Sequence, residues 1–141
     1  MDAALGDAAI ALISTAPTVE DAIRDADLVI ETVPDEMEMK LELFTIFDKF
    51  GKPGAIFASN TSALSIGDMT DVTVCQDRCI GMRFHDAAPN RKLVELILTP
   101  YTSEETVARC REVARRMGRE VVLVQESSEP VGARVDTGSN T

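Results

Sequence analysis

The sequence predicts an α/β domain built on a mainly parallel sheet of about five strands flanked by helices, and three observations carry that reading. DLVIETV (Asp27–Val33) and AIFAS (Ala55–Ser59) are continuous apolar runs of strand length, the pattern of strands buried on both faces. Between them Met37, Leu41, Phe44 and Phe47, continuing to Phe50, recur at helical spacing, with Glu38, Lys40, Glu42 and Lys49 in the gaps. A capped helical stretch from Thr102 or Ser103 to Met117 then leads into REVVLVQ, so that helices and strands alternate.

Taken in order, residues 2–13 are alanine-rich and helix-prone, and Pro17 ends that pattern. Thr18 followed by Val19, Glu20 and Asp21 has the form of an N-cap with acidic residues in the first turn, opening a short helix to Arg24 or Ala26. Pro34 stops the first strand. The helix from Met37 ends near Gly51, and Lys52, Pro53 and Gly54 turn the chain into the second strand. NTSALSIGDM, residues 60–69, is a polar turn and a short helical piece. Cys79–Phe84 and Leu93–Leu98 form the third and fourth strands, joined by a polar connector. Glu104 and Glu105 in its first turn and Gly118 just past its end frame the next helix, and Arg119–Gln125 is the last strand. One domain, residues 1–125, is expected; residues 126–141 are poor in large apolar side chains and read as a flexible tail.

Composition narrows the classes of function. With 45% hydrophobic and 27% charged residues the chain is globular, and no apolar run approaches the roughly 20 residues that span a bilayer. A net charge of -10 opposes nucleic-acid binding, which needs a basic footprint. The one basic cluster, Arg109, Arg111, Arg115, Arg116 and Arg119, reads as a solvated helix face that complements the helix dipole. Cys75, Cys79 and Cys110 read as reduced thiols; Cys75 and Cys79 with His85 make three spaced candidates without a fourth zinc ligand, and no metal is expected. The N-terminal stretch is acidic where a secretory signal is basic, which points to a cytoplasmic protein.

Residues 78–98 hold the richest chemistry, because one apolar run ends in His85, the only histidine, and the next carries Glu95. Four blocks, ADLVIETVPDEMEMKLELF, IFASNTSALSI, GMRFHDAAPNRKLVEL and TSEETVARCREVARRMGREVVLV, occur in an order and spacing that resemble the nucleotide-binding domain of 3-hydroxyacyl-CoA dehydrogenases. The resemblance covers roughly residues 5–125 and implies a Rossmann-like fold. It implies hydride transfer between NAD and the 3-position of an acyl-CoA or acyl-carrier thioester, with a histidine as acid/base and a carboxylate that orients it.

The family's G-x-H-F-F-N-P-V-P-x-M-K-L-V-E falls on Gly81–Glu95. The carboxylate is present as Glu95, but the histidine position is Arg83, which does not deprotonate near neutral pH. Asp86 stands for the family's asparagine and Ala87 for its first proline. His85 lies two residues on, hence on the same strand face about 6–7 Å along, which makes it the candidate relocated base. The resemblance places Ser62 against the substrate and Asn60 near the nicotinamide. It sets Thr32, Val33, Asp35 and Lys40 along the nicotinamide ribose and pyrophosphate, with Lys40 a possible phosphate partner. Ser128, Glu129, Pro130 and Ala133 fall where the family has P-G-F and a further asparagine.

No G-x-G-x-x-G occurs in the chain, so the expectation is a truncated Rossmann-like domain lacking the family's first βαβ unit and binding NAD weakly. A second reading, a non-catalytic thioester-binding or protein-interaction module, stands beside the enzymatic one. In either case Asp27–Val33 is left as an apolar edge without lysine, proline or bulge to discourage pairing, and a homodimer is expected. The N-terminal helix is expected to cover part of the exposed sheet face; the alternative is that Ala11–Ser14 folds back as a short edge strand.

Overall fold

The computed structural model describes residues 3–88 and 91–126. Its sheet has five strands in the order β1-β2-β3-β4-β5: β1 Leu28–Glu31, β2 Ile56–Ser59, β3 Cys79–Ala88, β4 Arg91–Leu98 and β5 Glu120–Gln125. β1, β2 and β3 run parallel, β4 returns antiparallel to β3, and β5 is parallel to β4. The helices are α1 Ala3–Ala11, α2 Val19–Ile23, α3 Met37–Phe50, α4 Ile66–Thr70 and α5 Glu104–Arg116. The α/β architecture is the one the sequence predicts.

Period-two alternation sorts the strand side chains into two cores. Ile56, Ala58, Ile80, Met82, Val94 and Leu96 pack against Val107, Cys110 and Ala114 of α5. Phe57, Cys79 and Ile97 point the other way, onto Ile23 of α2, Phe44 and Phe47 of α3 and Ile66 and Met69 of α4. β2 is buried along its whole length, as a continuous apolar run in a parallel sheet requires.

Helix ends follow the capping chemistry. Thr18, Ser65 and Ser103 accept from the backbone N–H groups of Asp21, Asp68 and Thr106, and Gly118 takes φ 73 just beyond α5. In α3 the buried stripe differs from the expected one. It runs through Lys40, Phe44 and Phe47, while Leu41 is only half-buried and Phe50 is exposed, because an ion pair draws Lys40 inward.

Three further expectations are corrected. β3 and β4 extend beyond their apolar runs, since main-chain pairing continues along the antiparallel hairpin, His85 opposite Leu93 and Ala88 opposite Arg91, with a register shift between His85 and Ala88. α1 does not cover the sheet, nor does Ala11–Ser14 form a strand: Ile10, Leu12 and Ile13 are exposed and β1 has no second neighbour among the described residues. Residue 126 does not begin a loose tail. The Glu126 N–H donates to Leu98 O, and its carboxylate accepts from Ser65 Oγ, Ile66 N and Gly67 N at the start of α4. Residues 127–141, with Ser128, Glu129, Pro130 and Ala133, lie outside the described residues.

The crossing of α4 over β3 depends on Gly81, where an added Cβ meets Ile97 Cβ at 2.8 Å and Ile66 Cδ1 at 3.0 Å. Gly81→Ala is expected to lower stability by about 1–3 kcal/mol, read as a lower urea midpoint at unchanged slope.

Candidate active site

The site forms where the C-terminal ends of β1 and β2 meet the part of the β3–β4 hairpin that runs past them. Alternation puts Arg83, His85 and Glu95 on one face of the hairpin, and the register sets Arg83 opposite Glu95 and His85 opposite Leu93. Glu95 is therefore the direct neighbour of Arg83 and the diagonal neighbour of His85. Its carboxylate serves both: Arg83 Nη2 lies 3.3 Å from Oε2, and His85 Nε2 lies 2.5 Å from Oε1. The imidazole contact is close but not aligned as a hydrogen bond, and His85 Nε2 is buried without a hydrogen-bond partner. The side chains are 40% exposed for His85 and 25% for Glu95, so both reach the surface of the site.

Arg83 also donates through Nη1 to Ser62 O at 3.0 Å, which ties the hairpin to the turn after β2. Asn60 Oδ1 accepts from Phe84 N at 3.3 Å, a second tie. On the opposite face Arg119 stacks over the Phe84 ring, 5.2 Å from its centroid, and donates to the carbonyls of His85 and Leu93. It is thus a support for the strand that carries His85 and not part of the solvated basic face.

Below the turn sits a buried polar cluster. Lys40 is fully buried; its Nζ lies 2.5 Å from Glu31 Oε2 and 3.5 Å from Asp35 Oδ1, and it donates to Val33 O at 3.1 Å. Glu31 Oε1 accepts from Ser59 Oγ at 2.5 Å and Oε2 from Val33 N at 2.8 Å. Asp35 accepts from Thr61 Oγ1 at 2.8 Å and from Ser62 Oγ at 3.1 Å. These hydrogen bonds, that from Thr61 foremost, hold the Asp35 carboxyl below its ordinary value.

The structure thus brings Glu95, His85, Ser62 and Asn60 together, with Arg83 among them. Lys40 is the correction in this set: its ammonium is enclosed by Glu31, Asp35 and Val33 O and does not face outward as a phosphate partner would. Asp35 lies at the surface but spends its acceptors on Thr61 and Ser62. Thr32 is exposed and Val33 half-buried at the rim. Asp86 and Ala87 lie in β3. Sequence reading missed Glu31, although an acid inside the apolar run DLVIETV was a signal that a buried partner exists; Ser59 and Thr61 entered it only as part of the family block IFASNTSALSI, without the hydrogen bonds they make. An open cleft of about 300 Å³ lined by Thr61, Ser62, Ser65, Arg83, Gln125 and Glu126 adjoins these groups.

A mainly parallel α/β sheet with a polar cleft at its strand ends defines a domain of the Rossmann class. The chain belongs to the family described as 3-hydroxyacyl-CoA dehydrogenase, NAD binding domain, which it matches over residues 1–127. NAD is the cofactor of that family. The chain is 36% identical over 115 residues to the mitochondrial hydroxyacyl-coenzyme A dehydrogenase of Sus scrofa, covering 82% of this chain and 37% of the relative. It is 41% identical over 123 residues to a Bacillus subtilis protein named probable 3-hydroxybutyryl-CoA dehydrogenase, covering 87% and 42%. The solved (S)-3-hydroxybutyryl-CoA dehydrogenase of Ralstonia eutropha superposes with a TM-score of 0.82 at 31% identity, covering 90% of this chain and 44% of that one. The chain therefore spans about two fifths of the length of these relatives.

Two outcomes are expected from the buried cluster. Lys40→Met leaves Glu31 as an unpaired buried charge and should cost about 3–5 kcal/mol in chemical denaturation, whereas Lys40→Met with Glu31→Gln should recover part of that loss. Because the folded Asp35 value lies below the ordinary 3.8, its contribution to stability is fully present above pH 3.8 and is lost as pH falls through the folded value. Asp27 and Glu112, also held low, titrate in the same acid range. The reading is therefore the difference between wild type and Asp35→Asn, whose acid limb should be shallower.

Proposed function

We propose that this chain is a 3-hydroxyacyl-CoA dehydrogenase-like oxidoreductase domain of fatty-acyl metabolism whose substrate is a 3-hydroxyacyl thioester of CoA or of a carrier protein, and whose turnover as this chain is weak or absent. The observation that carries the reading is the Glu95 carboxylate shared between His85 and Arg83. The rim residues Thr32 and Val33, with Asn60 behind them, suit the nicotinamide end of NAD. For the pyrophosphate the fit fails: Lys40 is enclosed and the chain contains no glycine turn to present backbone N–H groups. When bound, NAD supplies the hydride acceptor.

The chain's own residues have defined work. His85 takes the proton of the substrate's 3-hydroxyl, and Glu95 holds the imidazole and stabilises its charged form. The Ser62 hydroxyl, fixed by Asp35, places the substrate oxygen. Arg83 competes with His85 for Glu95, which weakens the dyad. That competition favours the second reading, a thioester-binding or interaction module without turnover. All three thiols are free and buried, and burial raises Cys110 to about 11, which suits a reducing, cytoplasmic setting. A homodimer completes the reading, on the strength of the β1 edge, which meets no second strand among the described residues.

Calorimetric titration of NADH and of acetoacetyl-CoA into the 141-residue chain separates the possibilities. NADH is expected to bind weakly, and a low-micromolar dissociation constant would overturn that expectation. Arg83→His should raise any dehydrogenase rate. If Arg83→His stays inactive while His85→Ala abolishes a measurable wild-type rate, His85 is a sufficient base and Arg83 no impediment.

A further inference from the structure

Two thiols sit at the N-terminal end of β3, the end of the sheet away from the cleft. Cys75 and Cys79 flank a single 3-10 turn, Gln76–Arg78, in which Arg78 N donates to Cys75 O at 2.9 Å and Cys79 N donates to Gln76 O. The turn brings the second thiol back onto the first residue. Cys79 Sγ donates to Cys75 O at 3.4 Å, and the Cys75 thiol donates to the Cys79 sulfur. The two thiols are not equivalent. The hydrogen bond from Cys75 foremost, and the neighbouring Arg78 charge, hold Cys79 below the ordinary thiol value against burial and the Asp48 carboxylate. The same hydrogen bond, together with burial, pushes Cys75 up. Cys79 is therefore the sulfur that ionises, and Cys75 its proton-bearing neighbour.

Little separates the pair from solvent. Cys75 and Cys79 are buried, but the segment leading into them lies at the surface, with Val72 exposed and Val74 92% exposed. A single side chain of α3 fastens that segment: the Asp48 carboxylate accepts from Val74 N at 3.1 Å and from Cys75 N at 3.3 Å. Opening this latch uncovers the thiols without disturbing the sheet, a local event of the kind that surface segments held by few hydrogen bonds undergo. Cys110 is the internal contrast. It lies beneath α5 in the other core, its thiol pushed up to about 11 by burial, with no second thiol beside it.

We propose that Cys75 and Cys79 form a modification site for hydroperoxides, in which Cys79 reacts with the oxidant and Cys75 closes an intrachain disulfide. The proposal rests on none of the hydride-transfer chemistry above. The Cys79 thiolate attacks one peroxide oxygen; the S–O bond forms, the O–O bond breaks, and the leaving hydroxide takes a proton to become water. Cys75 then gives up its proton and attacks the Cys79 sulfur; the S–S bond forms, the S–O bond breaks, and a second water leaves. The two thiols lose two electrons and two protons, and hydrogen peroxide becomes two waters. Burial favours this ending over further oxidation, because Cys75 is already in contact with the Cys79 sulfur while a second peroxide has to enter the core. The disulfide joins the surface segment after α4 to the first residue of β3.

The test is stoichiometric hydrogen peroxide added to the native 141-residue chain, followed by peptide mapping under denaturing conditions. Trypsin cuts after Arg78, between the two cysteines, so the peptides carrying Cys75 and Cys79 should stay joined until dithiothreitol is added, with Cys110 still free. In Cys75→Ala, Cys79 should persist as a sulfenic acid that dimedone captures, and in Cys79→Ala, Cys75 should remain unmodified, circular dichroism showing that each variant folds. Asp48→Ala should speed disulfide formation at least about fivefold, the effect of losing two hydrogen bonds from the closed state. Oxidation of Cys110 as fast as of the pair would overturn the proposal, because the thiols would then be reached only by unfolding the whole domain. So would a disulfide between chains, Cys79 driven to the sulfinic acid with Cys75 left free, dimedone capture at Cys75 in a folded Cys79→Ala, or an unchanged rate in Asp48→Ala. If neither cysteine variant folds, the peptide map of the wild-type chain decides by itself.

Discussion

One buried ammonium holds the upper end of the parallel sheet together. Lys40 reaches from α3 to Glu31 at the end of β1, and Glu31 reaches on to Ser59 at the end of β2. Removing two charges from water is costly, and the cost is met only because each partner gains further hydrogen bonds: Val33 O for the ammonium, Val33 N and Ser59 for the carboxylate. The pair therefore sets how far α3 leans over the strand ends and where the chain turns after Glu31. Asp35, placed by that turn, fixes Thr61 and Ser62. The order of the turn that faces the cleft is thus inherited from an ion pair with no exposure of its own.

The second half of the site comes from a different kind of geometry. Parallel strands end together, but the β3–β4 hairpin runs past those ends, and its overhang is where the alternation that buries Cys79 and Ile97 lower down presents Arg83, His85 and Glu95. A carboxylate between a guanidinium and an imidazole divides its field between them. The guanidinium is permanently charged and geometrically opposite, so Glu95 is held as an ion-pair partner as well as an orienter of His85. Arg83 in turn fastens the overhang to Ser62, which makes it a structural tie across the two halves.

Sequence alone determined the strand and helix order, because apolar runs of strand length, helical spacing and capping residues are local signals that packing reinforces here. It also identified Ser62, Arg83, His85 and Glu95, through four ordered blocks of family resemblance, and it located β1 as an apolar strand. Tertiary structure decided what local patterns do not encode. Whether Lys40 faces a phosphate or a buried carboxylate depends on Glu31, nine residues away, and on the helix rotation their pairing imposes. Whether Glu126 is tail or anchor depends on the start of α4, some sixty residues earlier in the chain. That Glu95 meets both Arg83 and His85 follows from the register of an antiparallel pair, which no single strand contains. Those three outcomes rest on long-range electrostatic and main-chain contacts, and such contacts exist only once the sheet has closed.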